Sequence, residues 1–270
     1  MLYENILLSE ELGCKPVPLT AYIPDVYEEI DPERVRPAIV LCPGGGYRMR
    51  SRKEAEPIAL RYVTQGINVF VLEYSVAPDR YPTQLKQIAA AVAYVRRNAA
   101  QFHTDPDRIF VSGFSAGGHL SANLGVTWTR DDLFPELTRE ERRPNGMILC
   151  YPRITYRNLP DPERLNILLG EGFTPEQVDQ VCLDELVNAN TPPAFIWHTF
   201  EDQTVLVDNP LKFALALAQN QIPCELHIFQ NGPHGLGLAD DQTQGKPEKA
   251  NGYPECRAWI DMAIRWAKGL

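Results

Sequence analysis

A serine between glycines is the residue in this chain best suited to nucleophilic chemistry. Ser115 stands in the sequence Gly-Phe-Ser-Ala-Gly-Gly at residues 113–118, after the apolar run 109–111 and before the small-residue segment 119–124. A strand, a sharp turn and a helix in this order form a nucleophile elbow, in which glycines let the two backbones approach closely. The strained turn lifts the hydroxyl clear of the sheet. We therefore predict that Ser115 is a catalytic nucleophile.

A serine nucleophile needs a base, and the sequence offers five histidines. His234 lies in a loop rich in glycine and proline, residues 231–237, directly after the last predicted strand. This position puts it at the same end of the sheet as the elbow, so we predict that it is the general base. His103 and His198 precede any acid that follows the fifth strand. His119 lies on the elbow helix, where a core or surface role fits better, and His227 lies in the middle of a strand.

The acid that orients the base should follow the fifth strand, since the order along the chain in this type of site is serine, acid, histidine. Residues 199–205 form the loop at that point, and they include Glu201 and Asp202. Asp202 is favoured because the loop then turns to Val205, which places the carboxylate at its tip. Asp208 is a more distant candidate that would serve equally well as a helix N-cap.

Three consecutive glycines follow the first predicted parallel strand, in the sequence Cys-Pro-Gly-Gly-Gly-Tyr at residues 42–47. Backbone N–H groups can turn toward one point there without interference from side chains. A phosphate-binding loop is disfavoured because neither of the glycine-rich nucleotide motifs continues the run. We predict an oxyanion hole formed by the N–H groups of Gly45, Gly46 and Ala116.

The elements that must position these residues alternate along the chain. Continuous apolar runs bounded by glycine or proline are typical of buried parallel strands, and amphipathic segments between them are typical of helices. The sequence predicts an α/β-hydrolase fold with a mostly parallel central sheet, helices on both faces, and one or two antiparallel edge strands within residues 5–23. The predicted strands are 38–42, 68–74, 108–111, 147–151, 194–198 and 225–229, and the predicted helices are 54–65, 82–100, 211–219 and 255–268.

Residues 1–270 are predicted to form one domain. Residues 128–190, apart from the strand at 147–151, are charged and rich in loops. This stretch is either a small cap over the carboxyl ends of the strands, where open α/β sheets bind ligands, or a solvated surface excursion.

Composition restricts the partners and the compartment. The formal net charge of −9 argues against a surface for nucleic acid or anionic membranes. The N-terminus lacks the pattern of a signal peptide, no run is long enough to span a membrane, and the six cysteines are scattered without metal-ligand spacing. We expect a cytoplasmic protein with no metal or organic cofactor. A homodimer stays an open alternative, because no stripe of residues identifies an interface.

Several of these motifs together resemble the hormone-sensitive-lipase-like esterases, and most closely their small bacterial acetylesterase and acetylxylan-esterase-like branch. The resemblance runs from about Pro37 to the C-terminus and is most specific at residues 43–47, 113–119 and 234–236. It implies the same nucleophile, acid, base and oxyanion donors, and it suggests acetyl groups on sugars as substrates. One departure is Pro43, where the larger family usually has a histidine; this weakens the transfer of lipase-type substrate preferences.

We therefore expect a serine carboxylesterase that hydrolyses short acyl esters of small molecules. Amide hydrolysis on the same residues, as in small peptidases or formamidases, is an alternative, and so is a non-catalytic ligand-binding protein. Three further side chains are predicted to line the substrate pocket: Tyr47, Phe114 and Leu236.

Overall fold

A single sheet of eight strands, in the order β1-β2-β4-β3-β5-β6-β7-β8, organises the molecule. It is seen in a computed structural model that describes residues 1–157, 162–245 and 252–270. The strands are Leu2–Leu8 (β1), Val17–Ile23 (β2), Arg36–Cys42 (β3), Asn68–Leu72 (β4), Thr104–Phe114 (β5), Gly146–Cys150 (β6), Ala194–Thr199 (β7) and Cys224–Phe229 (β8).

The strands from β4 to β8 in this order run parallel to one another. The predicted apolar runs are these strands, and every residue of β4 is buried, as expected for a strand covered on both faces. The segment predicted to contain one or two edge strands contains two, because β2 pairs antiparallel with both β1 and β4. The mostly parallel sheet predicted from the sequence is confirmed.

The helices connect the strands and cover the sheet. Within the described ranges, none of them combines the length and apolar character needed to cross a bilayer. The segment predicted as a helix at 255–268 begins with the 3₁₀ turn Pro254–Ala258, where Pro254 needs no N–H partner. The α-helices are Glu56–Val63 (α1), Thr83–Arg97 (α2), Ala116–Thr127 (α3), Arg139–Arg142 (α4), Glu163–Leu169 (α5), Pro175–Asp179 (α6), Asp208–Gln219 (α7), Asp241–Gln244 (α8) and Trp259–Gly269 (α9).

Each parallel strand contributes to two hydrophobic cores, because successive side chains of a strand point to opposite faces. In β5, Ile109 and Val111 belong to the core that includes residues of α2, α3 and α7. Phe110 belongs to the other core, which includes residues of α1 and α9. Helices therefore pack on both faces, and the carboxyl ends of the parallel strands meet at one edge.

The polar stretch 128–190 divides into two parts, before and after β6. In the first part, α4 packs against α2, and Glu141 forms an ion pair with Arg97 at 2.7 Å. In the second part, Arg157 forms ion pairs with carboxylates at residues 179 and 185. Residues 158–161 of the predicted cap lie outside the described residues.

Candidate active site

Ser115 occupies the one-residue turn between β5 and α3. Its backbone has φ 53° and ψ −113°, a strained conformation for a residue with a side chain. Its N–H donates to the carbonyl of Cys150 at 3.0 Å. A Cβ on Gly117 would overlap the carbonyl of Cys42 on β3, and a Cβ on Gly113 would overlap the carbonyl of Gly117. The spacing of the glycines in the motif therefore follows from how closely helix and strands approach.

Three side chains from three loops form one hydrogen-bonded chain. His234, after β8, has its Nε2 2.8 Å from Ser115 Oγ and its Nδ1 2.6 Å from Asp202 Oδ2, after β7. An ionised carboxylate only accepts, so Nδ1–H donates to Asp202 and Nε2 is left to accept the hydroxyl proton. The predicted nucleophile, base and favoured acid are therefore brought together in the arrangement of a Ser-His-Asp site.

Asp202 is completely buried but has three hydrogen-bond donors. Its Oδ1 accepts the backbone N–H groups of Thr204 at 2.8 Å and Val205 at 2.9 Å, while Oδ2 accepts from His234. Burial alone would raise the pKa of this carboxyl, but the hydrogen bond and charge of His234 and the two N–H groups outweigh it, so the pKa is lowered. The carboxylate is thus ionised and fixed in orientation at neutral pH.

The two alternative acids have other partners. Glu201 is exposed, and its Oε2 accepts the N–H of Gly232 at 3.1 Å. Asp208 begins α7 and pairs with Lys212 one turn later at 2.6 Å. Of the three carboxylates considered, the geometry selects Asp202.

The glycine loop after β3 lies beside Ser115, and Gly45, Gly46 and Ala116 line the same cavity as the serine. The N–H of Gly44 is taken by Glu54 Oε2 at 2.9 Å. Gly45 has φ 131°, a backbone conformation that favours glycine. Among the described residues, no protein acceptor pairs with the N–H groups of Gly45 or Gly46, and Ala116 starts α3, where an N–H has no acceptor within the helix.

The cavity at the carboxyl edge of the sheet measures about 480 Å³ and opens to solvent above Ser115 and His234. Its wall combines the glycine loop, the loops after β6 and β7, and side chains of α5. Within residues 1–157, 162–245 and 252–270, no group of three or more His, Cys, Asp or Glu side chains is placed to hold a metal ion.

The prediction that Tyr47, Phe114 and Leu236 line the pocket is wrong. Their side chains are 2%, 0% and 1% exposed, respectively, and all three lie in the hydrophobic cores. Phe114 is the last residue of β5, and its ring packs against Tyr151 on the α1 and α9 side of the sheet. Although these residues are close to the site in sequence, their side chains point into the hydrophobic cores.

Of the core and surface roles that the sequence left open for His119, the structure shows the core role. It is fully buried on α3, where its Nδ1 lies 2.8 Å from the hydroxyl of Tyr47 and its Nε2 lies 3.0 Å from the carbonyl of Val181. Because a carbonyl only accepts, Nε2–H donates to it and Nδ1 accepts from the tyrosine. Burial lowers the pKa of His119 to about 4, so the ring is neutral at neutral pH.

Two residues not identified from the sequence, Glu54 and Tyr151, connect the two sides of the site. The buried Glu54 accepts the Gly44 N–H through Oε2 and the hydroxyl of Tyr151 through Oε1 at 2.6 Å. The Tyr151 oxygen in turn accepts the N–H of Gly237 at 3.0 Å, and its ring lies edge-on to His234 with centroids 5.1 Å apart. Glu54 therefore links the glycine loop to the histidine loop through one tyrosine.

Comparisons with known proteins show the family of this chain. The BD-FAE family model matches residues 24–217, which is more than half of the chain. The chain belongs to the BD-FAE family. The matched region contains the glycine loop, the elbow and the Asp202 loop, whereas His234 lies beyond it.

Curated proteins and solved structures similar to this BD-FAE chain include several esterases. It is 35% identical over 227 residues to endo-1,4-beta-xylanase B of Butyrivibrio fibrisolvens, covering 82% of this chain and 36% of the relative. It is 31% identical over 207 residues to an acetylxylan esterase of Xylanibacter ruminicola, covering 74% and 41%. The chain thus spans well under half the length of these two relatives.

Among solved structures, the acetyl ester-xyloside bifunctional hydrolase from Caldicellulosiruptor lactoaceticus superposes with a TM-score of 0.82 at 34% identity. The match covers 98% of this chain and 96% of that one. The α/β-hydrolase fold and the similarity to esterases, both predicted from the sequence, are confirmed.

Proposed function

We propose that this chain is a serine carboxylic ester hydrolase that removes acetyl groups from sugars, including acetylated xylo-oligosaccharides. One observation carries the proposal: Ser115, His234 and Asp202 form a continuous hydrogen-bonded chain whose serine opens into a cavity lined by Gly45, Gly46 and Ala116. The names of the acetylxylan esterase and of the acetyl ester-xyloside hydrolase support an acetyl ester as the substrate.

In the first half of the proposed reaction, Ser115 Oγ attacks the ester carbonyl carbon while His234 Nε2 takes its proton. The negative charge that develops on the carbonyl oxygen is stabilised by the N–H groups of Gly45, Gly46 and Ala116. The N-terminus of α3 adds its partial positive charge at the same point. Asp202 stabilises the imidazolium through Nδ1–H without taking up the proton.

The tetrahedral intermediate then collapses, and His234 gives its proton to the departing alcohol. This leaves an acetyl group bound to Ser115 Oγ. In the second half, His234 takes a proton from water, the resulting hydroxide attacks the acetyl carbon, and the proton returns to Ser115 as acetate leaves.

The cavity wall supports a polar substrate. Charged side chains from the glycine loop, from the loop after β6 and from α5 line it, so it is poorly suited to a long acyl chain. Glu163, Arg164 and Ile167 of α5 contribute to the wall from the second part of the polar stretch. We infer that α5 forms part of a small cap beside the site.

A cytoplasmic location is also proposed. All six cysteines are free thiols, and five of them are buried, which is the usual state in a reducing compartment. Fractionation of cells that produce the protein would test this, and recovery of the protein outside the cytoplasm would contradict it.

The experiment that tests the function compares wild type, Ser115→Ala and Ser121→Ala on p-nitrophenyl acetate, butyrate and octanoate, and on acetylated xylo-oligosaccharides. Ser121 is a matched control, since it is buried on α3 and does not line the cavity. We expect rapid acetate release by wild type and Ser121→Ala, slower turnover of longer acyl chains, and a loss of about 10⁴-fold or more in Ser115→Ala. No serine-dependent turnover of any ester would reject the proposal and favour amide substrates or ligand binding.

A further inference from the structure

A buried arginine lines the cavity. The side chain of Arg153, just after β6, is 6% exposed. Its Nη2 donates to the carbonyl of Thr204 at 2.9 Å, and its guanidinium lies 5.8 Å from the ring centre of Tyr156. No carboxylate among the described residues lies within ion-pair distance of it. A buried charge in such surroundings is costly unless a partner neutralises it.

Another arginine of this chain shows how a purely structural guanidinium is held. Arg142 is 1% exposed and donates to the carbonyls of residues 128, 134 and 137 and to the carboxylate of Asp131. A guanidinium carries five N–H donors, and most of those of Arg142 have protein acceptors. Within the part of the chain that the structure describes, Arg153 has one such acceptor, and it faces a cavity. Its remaining donors are therefore available to a ligand.

A second arginine lies beside the first. Arg164, half-buried on α5, donates from Nη1 to the same Thr204 carbonyl at 3.1 Å. Two guanidinium groups that share one acceptor lie within a few ångströms of each other. Among the described residues, Arg164 also has no carboxylate at ion-pair distance, so one carbonyl oxygen faces two positive charges.

The carboxylates of the cavity wall are already engaged. Glu163 forms an ion pair with Arg48 across the opening. Both oxygens of Glu54 accept hydrogen bonds, from Gly44 and Tyr151. Among the described residues, Arg153 and Arg164 therefore have no direct ion-pair partner, although the formal net charge of the chain is −9.

We propose that Arg153 and Arg164 form a subsite for a carboxylate on the alcohol part of the substrate. The backbone N–H of Arg153 donates to the carbonyl of Ser115 at 3.2 Å, so the subsite adjoins the nucleophile. Guanidinium groups bind carboxylates through paired, charge-assisted hydrogen bonds. Resting on the proposed acetyl esterase function, this assigns acetylated sugars that carry a uronic acid as the preferred substrate class.

The test uses two acetylated sugars that differ only in charge. Methyl 4-O-acetyl-glucuronoside carries the carboxylate next to the ester, and the corresponding glucuronamide is a neutral analogue of the same shape. Acetate release is measured for wild type, Arg153→Gln, Arg164→Gln and the double variant. Arg157→Gln is the matched control, because Arg157 pairs with two carboxylates on the surface and does not line the cavity.

For wild type and the control, we expect kcat/KM to be about tenfold to a hundredfold higher for the acid than for the amide. The ratio should fall toward one in the double variant, mainly through a rise in KM for the acid. It should also fall with increasing salt, although less than for an exposed ion pair. Because the ratio is taken within each variant, a general loss of activity or of folded protein does not imitate the result.

Two outcomes would overturn the subsite. An acid-to-amide ratio near one in wild type, with the amide turned over normally, would remove it while leaving the esterase function intact. A higher kcat/KM for the 6-phosphate of the acetylated methyl glucoside than for the glucuronoside would reassign it to phosphate.

If neither sugar is hydrolysed, the p-nitrophenyl ester assay decides whether the esterase function itself fails, and calorimetry with methyl glucuronoside decides the subsite independently. Binding that Arg164→Gln abolishes would support it. Absence of binding to wild type would reject it.

Discussion

Each of the two parts of the polar stretch 128–190 contains a buried arginine, and the two arginines differ in how many of their N–H groups have protein acceptors. Before β6, Arg142 is enclosed by carbonyls and one carboxylate, and its guanidinium also lies 5.1 Å from the ring centre of Phe134. After β6, Arg153 has one protein acceptor among the residues that the structure describes, and it lines the cavity. The first arrangement is complete without a ligand, whereas the second requires one. We therefore expect Arg142 to contribute to stability, and the residues around the cavity to contribute to binding and turnover.

The largest effect is expected at the cavity, from Asp202→Asn. The amide has the same shape but can present its NH₂ to His234, which favours the tautomer that cannot accept the Ser115 proton. We expect kcat to fall about 10⁴-fold, with little change in the melting temperature. Steady-state kinetics and thermal unfolding measure the two quantities.

Glu201→Gln is the control for that variant, since its side chain bonds Gly232 and not the histidine. It should retain activity. A similar loss in both variants would show that the choice of acid is wrong.

The converse effect is expected from Arg142→Met, which keeps the length of the side chain and removes its donors. Several buried acceptors lose their partners, so the free energy of unfolding should fall by about 3–5 kcal/mol. The kcat per folded molecule should not change. Denaturant unfolding followed by active-site titration tests this, and a selective change in kcat would contradict the division between the two regions.

Both ring nitrogens of the buried His119 have hydrogen-bond partners, and these two hydrogen bonds require the neutral form of the ring. Its folded-state pKa of about 4 lies below the ordinary value, so its contribution to stability is complete above about pH 6.5 and is lost as the pH falls through the folded value. The expected loss is roughly 3 kcal/mol between these limits. Unfolding free energies of wild type and His119→Gln at several pH values measure it. Parallel pH curves for the two proteins would show that His119 does not cause the decline.

The smallest effect is expected from Glu54→Gln, because Glu54 supports the site only through its hydrogen bonds with Gly44 and Tyr151. The amide oxygen can accept from Gly44 or from Tyr151, but not from both, so the glycine loop and histidine loop lose part of their connection. We expect kcat on a neutral acetyl ester to fall about tenfold with KM nearly constant. Exposed Glu28→Gln is the control. An equal change in KM and kcat would indicate general loosening rather than a positioning role.

The parts of the site that follow strands could be predicted from the sequence. Ser115, Asp202 and His234 each come directly after an apolar run, and the carboxyl ends of parallel strands must meet at one edge. Packing between distant segments determines the order of the strands and the number of antiparallel strands near the N-terminus. It also determines the side-chain directions of Tyr47 and Phe114. The same is true of Glu54 and Arg153, whose partners lie far away in the sequence, so no local pattern identifies them.

The separate origins of chemistry and recognition have a consequence for how this molecule can change. The reacting groups stand on the loops after β5, β7 and β8, whereas Arg153 and Arg164 come from the loop after β6 and from α5. The elbow tolerates no side chain at Gly117, because a Cβ there would overlap the backbone of β3. Exchange of a few residues around α5 could therefore redirect the protein to neutral or acidic sugars while the reaction itself is left untouched. The residues that select the substrate are thus separate from those that react, and we expect substitutions around α5 to change the substrate range first.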